Sequence, residues 1–133
     1  MPEITNDPAI RALRYALDGL SLRQQAVAQN IANLNTPGYK AARVSFEEEL
    51  QRRLRGSGDA VDVSLTHPAH VLPSERPGVS ITRDASTSIR LDGNNVDIDW
   101  EMARLAETVI NYNTVTELIS MKLAILKTAI KGG

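Results

Sequence analysis

The chain has no cysteine, which excludes disulfides and thiolate metal sites. Aromatic residues are scarce at 4% of the 133 positions, and the whole set is Tyr15, Tyr39, Phe46, Trp100 and Tyr112. A core built from this chain alone is therefore thin. Charge of one sign is also missing: the formal net charge is −1, so no global field favours nucleic acid or an anionic surface. No segment approaches the run of about 20 apolar residues that spans a bilayer. The first 20 residues carry Glu3, Asp7, Arg11, Arg14 and Asp18, and no apolar stretch follows them as in a cleavable secretory signal. Catalytic fingerprints are absent as well, with no phosphate-binding glycine loop, dinucleotide motif or nucleophile triad.

What is present is a pair of long heptad-like stripes at the two ends. Asp7-Pro8 reads as a helix start, the carboxylate capping free N–H groups and Pro having none to lose. Ile10, Leu13, Leu17, Leu20, Val27, Ile31 and Leu34 then recur at steps of three and four, broken where Gln24 takes the expected place. Gly19 weakens this helix by about 1 kcal/mol relative to Ala. The helix is expected to end near Asn33, because Thr36 precedes Pro37 and Pro37-Gly38 suits a type II turn. The second stripe is Met102, Leu105, Val109, Tyr112, Thr116, Ile119, Leu123, Leu126 and Ile130. Its helix is expected to begin at Asp99, with Ile98 as a staple, and to stop at Gly132-Gly133. Asp97, Asp99 and Glu101 complement the positive end of its dipole, and Lys122, Lys127 and Lys131 the negative end.

Between the stripes the chain is irregular. Residues 41–55 read as one short helix with Phe46, Leu50 and Leu54 on a face. Three short alternating runs follow, Val61–Leu65, Val79–Thr82 and Ser88–Leu91, the last two pairing as a hairpin across Asp84-Ala85-Ser86. The fold class expected is mainly α: long N- and C-terminal helices pairing as an antiparallel coiled-coil-like hairpin, with a small irregular or β middle segment. The boundaries are 1–40 for the first helix and its turn, 41–97 for the middle segment and 98–133 for the second helix. A helix pair with narrow stripes sits near energetic break-even alone, since ordering each residue costs about 1–2 kcal/mol. The stripes are therefore read as subunit-packing seams.

Asp92-Gly93-Asn94-Asn95-Val96-Asp97 fails as a calcium loop, because Val96 stands at the fifth position and Ala103 at the twelfth. His67 and His70 lack the further ligands zinc needs. Arg52-Arg53-Leu54-Arg55 is offset by Glu47-Glu48-Glu49 and reads as a solvated face. No catalytic residue, cofactor or metal is expected.

Two motifs resemble a known family. Asn30-Ile31-Ala32-Asn33-Leu34-Asn35-Thr36-Pro37-Gly38-Tyr39-Lys40 is similar to the N-terminal signature of bacterial flagellar rod and hook axial proteins. Asp92-Gly93-Asn94-Asn95-Val96-Asp97, opening the second helix, resembles the proximal-rod members, as does Thr66-His67-Pro68. Leu34 and Asn35 depart from the Ala and Asp more usual there. The resemblance implies a structural subunit of the basal-body rod, on the periplasmic side of the inner membrane, exported through the flagellar type III apparatus without a cleavable signal. It implies helical assembly with copies of itself and other rod proteins, contact with the membrane ring and the ring–rod adaptor protein, and transmission of torque for motility, with no nucleic-acid partner and no membrane span. Tyr39 is expected to pack the turn against the helix pair, and Asn33 and Asn35 to cap the helix end in left-handed geometry or to bond a neighbouring subunit. The competing reading is a soluble coiled-coil adaptor or export chaperone that binds one partner helix.

Overall fold

A computed structural model describes residues 7–55, 78–85 and 90–132. The Val61–Leu65 run, Thr66-His67-Pro68, His70 and the Ser88-Ile89 half of the Ser88–Leu91 run lie outside them. The elements are α1 (Pro8–Ala32), β1 (Ala42–Ser45), α2 (Glu47–Leu54), β2 (Ser80–Arg83) and α3 (Ile98–Ile130). The protein is mainly α, as the stripes require.

Helix α1 begins as expected. Asp7 Oδ1 accepts the Ala9 N–H at 2.8 Å, with Pro8 at the first helical position. Helix α3 starts two residues earlier than expected. Asp97 is the cap, its Oδ1 accepting the N–H groups of Asp99 and Trp100 at 3.0 and 3.3 Å. Ile98 is thus the first helical residue, exposed, and not a staple. At 33 residues α3 runs about 50 Å. The two helices lie antiparallel: Asn30, near the end of α1, bonds Glu101 at the start of α3, and Asp7 pairs with Lys122 at 3.3 Å at the far end. The last two turns of α3, from Leu123 to Ile130, run on past Asp7.

The middle of the chain differs from the sequence reading. Residues 41–55 are not one helix but a strand followed by a helix. Ala42, Val44 and Phe46 are all buried, the every-second-residue pattern of a strand, while Leu54 is exposed. Strand β2 pairs antiparallel with β1, Ala42 opposite Arg83 and Val44 opposite Ile81; the expected hairpin with Ser88–Leu91 falls in part on residues outside the described ones. β1 has one face packed on α1, so β2 pairs with an anchored edge. Helix α2 is held by its own charges, with Glu47, Glu48 and Glu49 in the first turn and Arg52 and Arg53 in the last. Glu49 pairs with Arg52 and, at 3.0 Å, with Arg53.

Helix α1 is therefore the middle layer, with α3 on one side and β1, β2 and α2 on the other. Tyr15, Leu20, Ala26, Ala42, Val44 and Phe46 form the apolar core, edged by Leu22, Leu50, Val79 and Val115. Phe46 meets Tyr15 edge-on at 6.4 Å between ring centres, and the Arg23 guanidinium lies 4.7 Å from its ring centre. A Cβ on Gly19 would fall 2.5 Å from the Phe46 ring. The glycine that costs α1 helix propensity is thus the notch that receives one of the two aromatic side chains of the core.

Two outcomes follow from this packing. Gly19→Ala, which in an exposed helix would stabilise, is expected to destabilise the protein by about 1–3 kcal/mol through overpacking against Phe46, read as a lower Tm; an unchanged or raised Tm would remove the notch. The Ala9 N–H, aided by Lys122, holds the Asp7 carboxyl below its usual value of 3.8. A depressed carboxylate stabilises fully above that usual value and loses its effect as the pH falls below about 4 toward the folded-state value. Asp7→Asn should flatten that part of the acid limb in a pH series of denaturation curves.

Candidate functional site

The two motifs singled out in the sequence meet in space at the junction of α1 and α3. Asn30 is the hub and is fully buried. Its amide nitrogen donates to the Ala42 carbonyl at 3.0 Å and to Glu101 Oε2 at 3.1 Å; its oxygen accepts the Ala42 N–H at 2.8 Å and the Tyr39 hydroxyl at 3.0 Å. The side chain acts as one rung of a sheet toward β1 while tying the turn and α3 to the same point. Glu101, also fully buried, gives its second oxygen to Arg43 Nη1, and Arg43 reaches Asp84 at 3.6 Å. A buried carboxylate is tolerable only when both oxygens are engaged, and here they are.

The second motif closes the joint from the other side. Asn94 is fully buried, and its Nδ2 reaches the carbonyl oxygens of Asn33, Thr36 and Leu34 at 2.9, 2.8 and 3.2 Å. The Asn33 carbonyl belongs to the C-cap of α1 and the other two to the turn beyond it, so a residue some 60 positions away in sequence holds the end of α1 together with its turn. Asn95 Oδ1 accepts the Ala41 N–H at 2.8 Å, and its Nδ2 donates to the Asp84 carbonyl at 2.9 Å. Lys40 Nζ donates to the Gly93 carbonyl at 2.7 Å. Arg90 donates to the Leu34 carbonyl. Gly38 and Gly93 carry positive φ, 72° and 84°, and their loops touch: the Gly38 N–H donates to the Asp92 carbonyl at 2.8 Å.

Several expectations for these residues are now settled. Tyr39 does hold the turn, through its hydroxyl to Asn30 and the Arg83 guanidinium 5.4 Å from its ring centre. Pro37-Gly38 forms the type II turn, closed by the Tyr39 N–H on the Thr36 carbonyl at 3.3 Å. Asn33 is not left-handed, with φ −101°; among the described residues only glycines have positive φ. Its side chain instead bonds Gln29 O and accepts from Thr36 Oγ1. Val96 is buried beneath the joint, while Asn35, Thr36 and Pro37 are exposed. Arg43, Asp84 and Glu101 were missed as members of the joint. The signal for Glu101 was an acid out of phase with the apolar stripe, which dipole complementation seemed to explain fully.

The stripes divide into covered and bare parts. On α1, Ile10, Leu20 and Val27 are buried, and Leu13, Leu17, Ile31 and Leu34 half-buried. On α3 the line turned inward is Glu101, Leu105, Thr108, Val115, Ile119, Lys122 and Leu126. It shares Leu105, Ile119 and Leu126 with the expected stripe, and Tyr112 lies at its margin. Met102, Val109, Leu123 and Ile130 are exposed. The helix is rotated by about one residue from the apolar optimum because Glu101 is drawn in by Arg43 and Asn30. Trp100, Ile110, Leu118, Met121 and Ile125 are exposed too, so α3 carries more apolar surface than α1 covers, beside a polar side that includes Asn113, Glu117, Ser120 and Lys127. Among the described residues no group of three His, Cys, Asp or Glu side chains is placed to hold a metal, and no helix is long and apolar enough to cross a membrane.

Comparison with known proteins points the same way. The pattern of the family described as "Flagella basal body rod protein" matches residues 10–40, which includes the first motif. The chain is 37% identical to the flagellar basal body rod protein FlgB of Bacillus subtilis, over 93% of this chain and 94% of that one. It is 32% identical to FlgB of Salmonella typhimurium, over 96% of each. With FlgB of Borrelia hermsii it shares 38% identity over 80% of this chain and 83% of the relative.

The joint makes a sharp chemical distinction testable. Asn94→Asp would place carboxylate oxygen where three carbonyl oxygens converge, and is expected to destabilise more than Asn94→Ala, which only removes one donor from carbonyls that keep the Thr36 N–H, Arg90 and the Tyr39 N–H. Asn30→Ala should cost about 1–3 kcal/mol for each buried group it strands, whereas Asn35→Ala at the exposed turn should stay within about 0.5 kcal/mol. Urea denaturation of the four variants gives the order; equal effects at Asn94, or a neutral Asn30→Ala, would contradict the bonding described.

Proposed function

The chain belongs to the FlgB family of flagellar basal body rod proteins, structural subunits and not enzymes, and from that premise we propose that it stands at the cell-proximal end of the rod, linking the membrane ring to the shaft and passing torque between them. The observation that carries this reading is α3. Met102, Val109, Ile110, Leu118, Leu123, Ile125 and Ile130 stay exposed on it, more apolar surface than a solvated helix face carries, so packing against neighbours outside this chain is what would cover it. Burying an exposed aliphatic side chain yields about 1.5–3 kcal/mol, and packing among neighbours supplies that burial several times over along a helix of this length.

In this reading the α1–α3 pair is the inner layer of the assembly, and the seam residues Leu123 and Ile130, with Met102 and Val109, face other subunits. The neighbours are copies of this chain, other rod proteins, the basal-body ring and the adaptor between ring and rod. The subunit reaches the periplasmic side of the inner membrane through the flagellar export apparatus. Torque crosses each subunit through the joint, where hydrogen bonds from both motifs resist sliding of α1 along α3. Family membership leaves no separate support for a coiled-coil adaptor or export chaperone.

The test separates folding from assembly. Leu123→Asp alters a residue that the monomer leaves exposed, so the purified variant should keep the wild-type Tm while a strain carrying it as the sole copy builds no rods and does not swim. Leu105→Asp, on the covered line, should lose both stability and motility. Normal swimming with Leu123→Asp would overturn the assignment of that face to assembly.

A further inference from the structure

We propose that residues 108–116 are a yielding segment built into α3, where the helix bends and opens ahead of either flank, so that its distal half can be re-aimed while the joint stays closed. The inference concerns the chain itself; only its use in assembly rests on the rod reading above. Residues 108–116 read Thr-Val-Ile-Asn-Tyr-Asn-Thr-Val-Thr. Every one is β-branched, aromatic or an amide, the classes that lose side-chain freedom in a helix or compete for its backbone bonds. On one side, residues 101–107 read Glu-Met-Ala-Arg-Leu-Ala-Glu, all strong helix formers. On the other, Glu117, Leu118, Met121, Lys122, Leu123 and Ala124 restore that class. The helix is thus two stiff arms joined by about two and a half turns of weak formers.

Hydrogen bonding weakens the same stretch. Thr108 Oγ1 donates to the Arg104 carbonyl at 2.7 Å, Thr114 Oγ1 to that of Ile110 at 2.9 Å and Thr116 Oγ1 to that of Tyr112 at 2.8 Å. Each of these carbonyls also serves the helical ladder, and such back-bonding weakens a helix slightly and bends it. No Pro or Gly in α3 fixes a kink elsewhere. Packing gives the segment little help: Thr108 is buried and Val115 half-buried, and the other seven residues are exposed. The near arm is fixed in the joint through Glu101, which meets Arg43 and Asn30. The far arm is held by the half-buried Ile119 and Leu126 and by the partly exposed pair of Lys122 with Asp7, an ion pair of the kind that contributes little. A bend between the arms changes the direction of the far one without rotating it about its own axis, so the face that the joint sets is kept. In the rod reading, this lets one subunit meet neighbours standing at slightly different angles, as where a ring gives way to a helical shaft.

Hydrogen exchange of the full-length native chain, followed by mass spectrometry and corrected for intrinsic rates, tests the segment. Ordinary fraying makes protection fall steadily toward a helix end. Here protection should instead dip in the middle, residues 110–117 exchanging at least about tenfold faster than both residues 102–107 and residues 118–124. The variant Asn111→Ala/Asn113→Ala/Thr114→Ala/Thr116→Ala changes only exposed positions and should remove the dip. Ser120→Ala/Thr128→Ala, in the far arm, should leave it. A strain carrying the fourfold variant as its sole copy should swim poorly. With Asn113→Gly in place of Asn113→Ala, the dip and swimming should both return, which a role for the lost side chains as contacts would not allow. Uniform or steadily falling protection, a dip that survives the fourfold variant, normal swimming of that variant, or no recovery with Asn113→Gly would each overturn the proposal. Should the dip be missing while Leu123→Asp still abolishes swimming, the yielding segment falls and the rod reading stands.

Discussion

Everything in this fold hangs from the buried amide of Asn30. Four elements converge on it: α1, which carries it; β1, which it pairs like a neighbouring strand; the turn, through Tyr39; and α3, through Glu101. A side-chain amide donates from its nitrogen and accepts at its oxygen without carrying charge. A carboxylate there would meet Glu101 as a like charge, and an aliphatic residue would strand the Ala42 N–H and carbonyl. The demand that each partner be satisfied at once fixes the rotation of α3, and so decides which of its apolar residues face α1 and which face outward.

That dependence explains which parts of the structure were legible in the sequence. The helices were, because Asp7-Pro8, Pro37-Gly38 and the three-and-four spacing are local signals with local causes. The family motifs were visible as motifs, and their meeting in space follows once the helices are antiparallel. The inward line of α3 was not. Periodicity ranks positions by apolarity, and Glu101 wins its place by an ion pair with Arg43, a residue 58 positions away. The strand at 42–45 was hidden for a related reason: Phe46 and Leu50 fit a helical step of four as well as Ala42, Val44 and Phe46 fit a strand step of two. Only the packing of Phe46 into the Gly19 notch tells them apart.

The scarcity of aromatics has its counterpart in the polar joint. With a core of a few small and aliphatic residues around Tyr15 and Phe46, apolar packing alone specifies the relative placement of the helices loosely. Directional bonds between side-chain amides and open backbone groups specify it tightly, because each has a narrow range of angle and distance and a real penalty when missed. Asn94 makes the same point. It draws the C-cap carbonyl of α1 and two carbonyls of the following turn onto one amide, so the end of α1 and the start of α3 are positioned together.

A subunit built this way divides its labour along its length. At one end a dense hydrogen-bonded joint sets geometry; along the shaft and at the other end, bare aliphatic surface waits for neighbours. The order matters for assembly. Apolar surface is adhesive but indifferent to angle, so a chain that relied on it alone would stick to its siblings in many registers. By settling the rotation of α3 with buried polar bonds before any neighbour arrives, the joint presents the same apolar face, in the same orientation, on each copy. A neighbour that meets this face on one copy can meet it in the same way on the next, so one settled rotation is enough to make a contact repeatable.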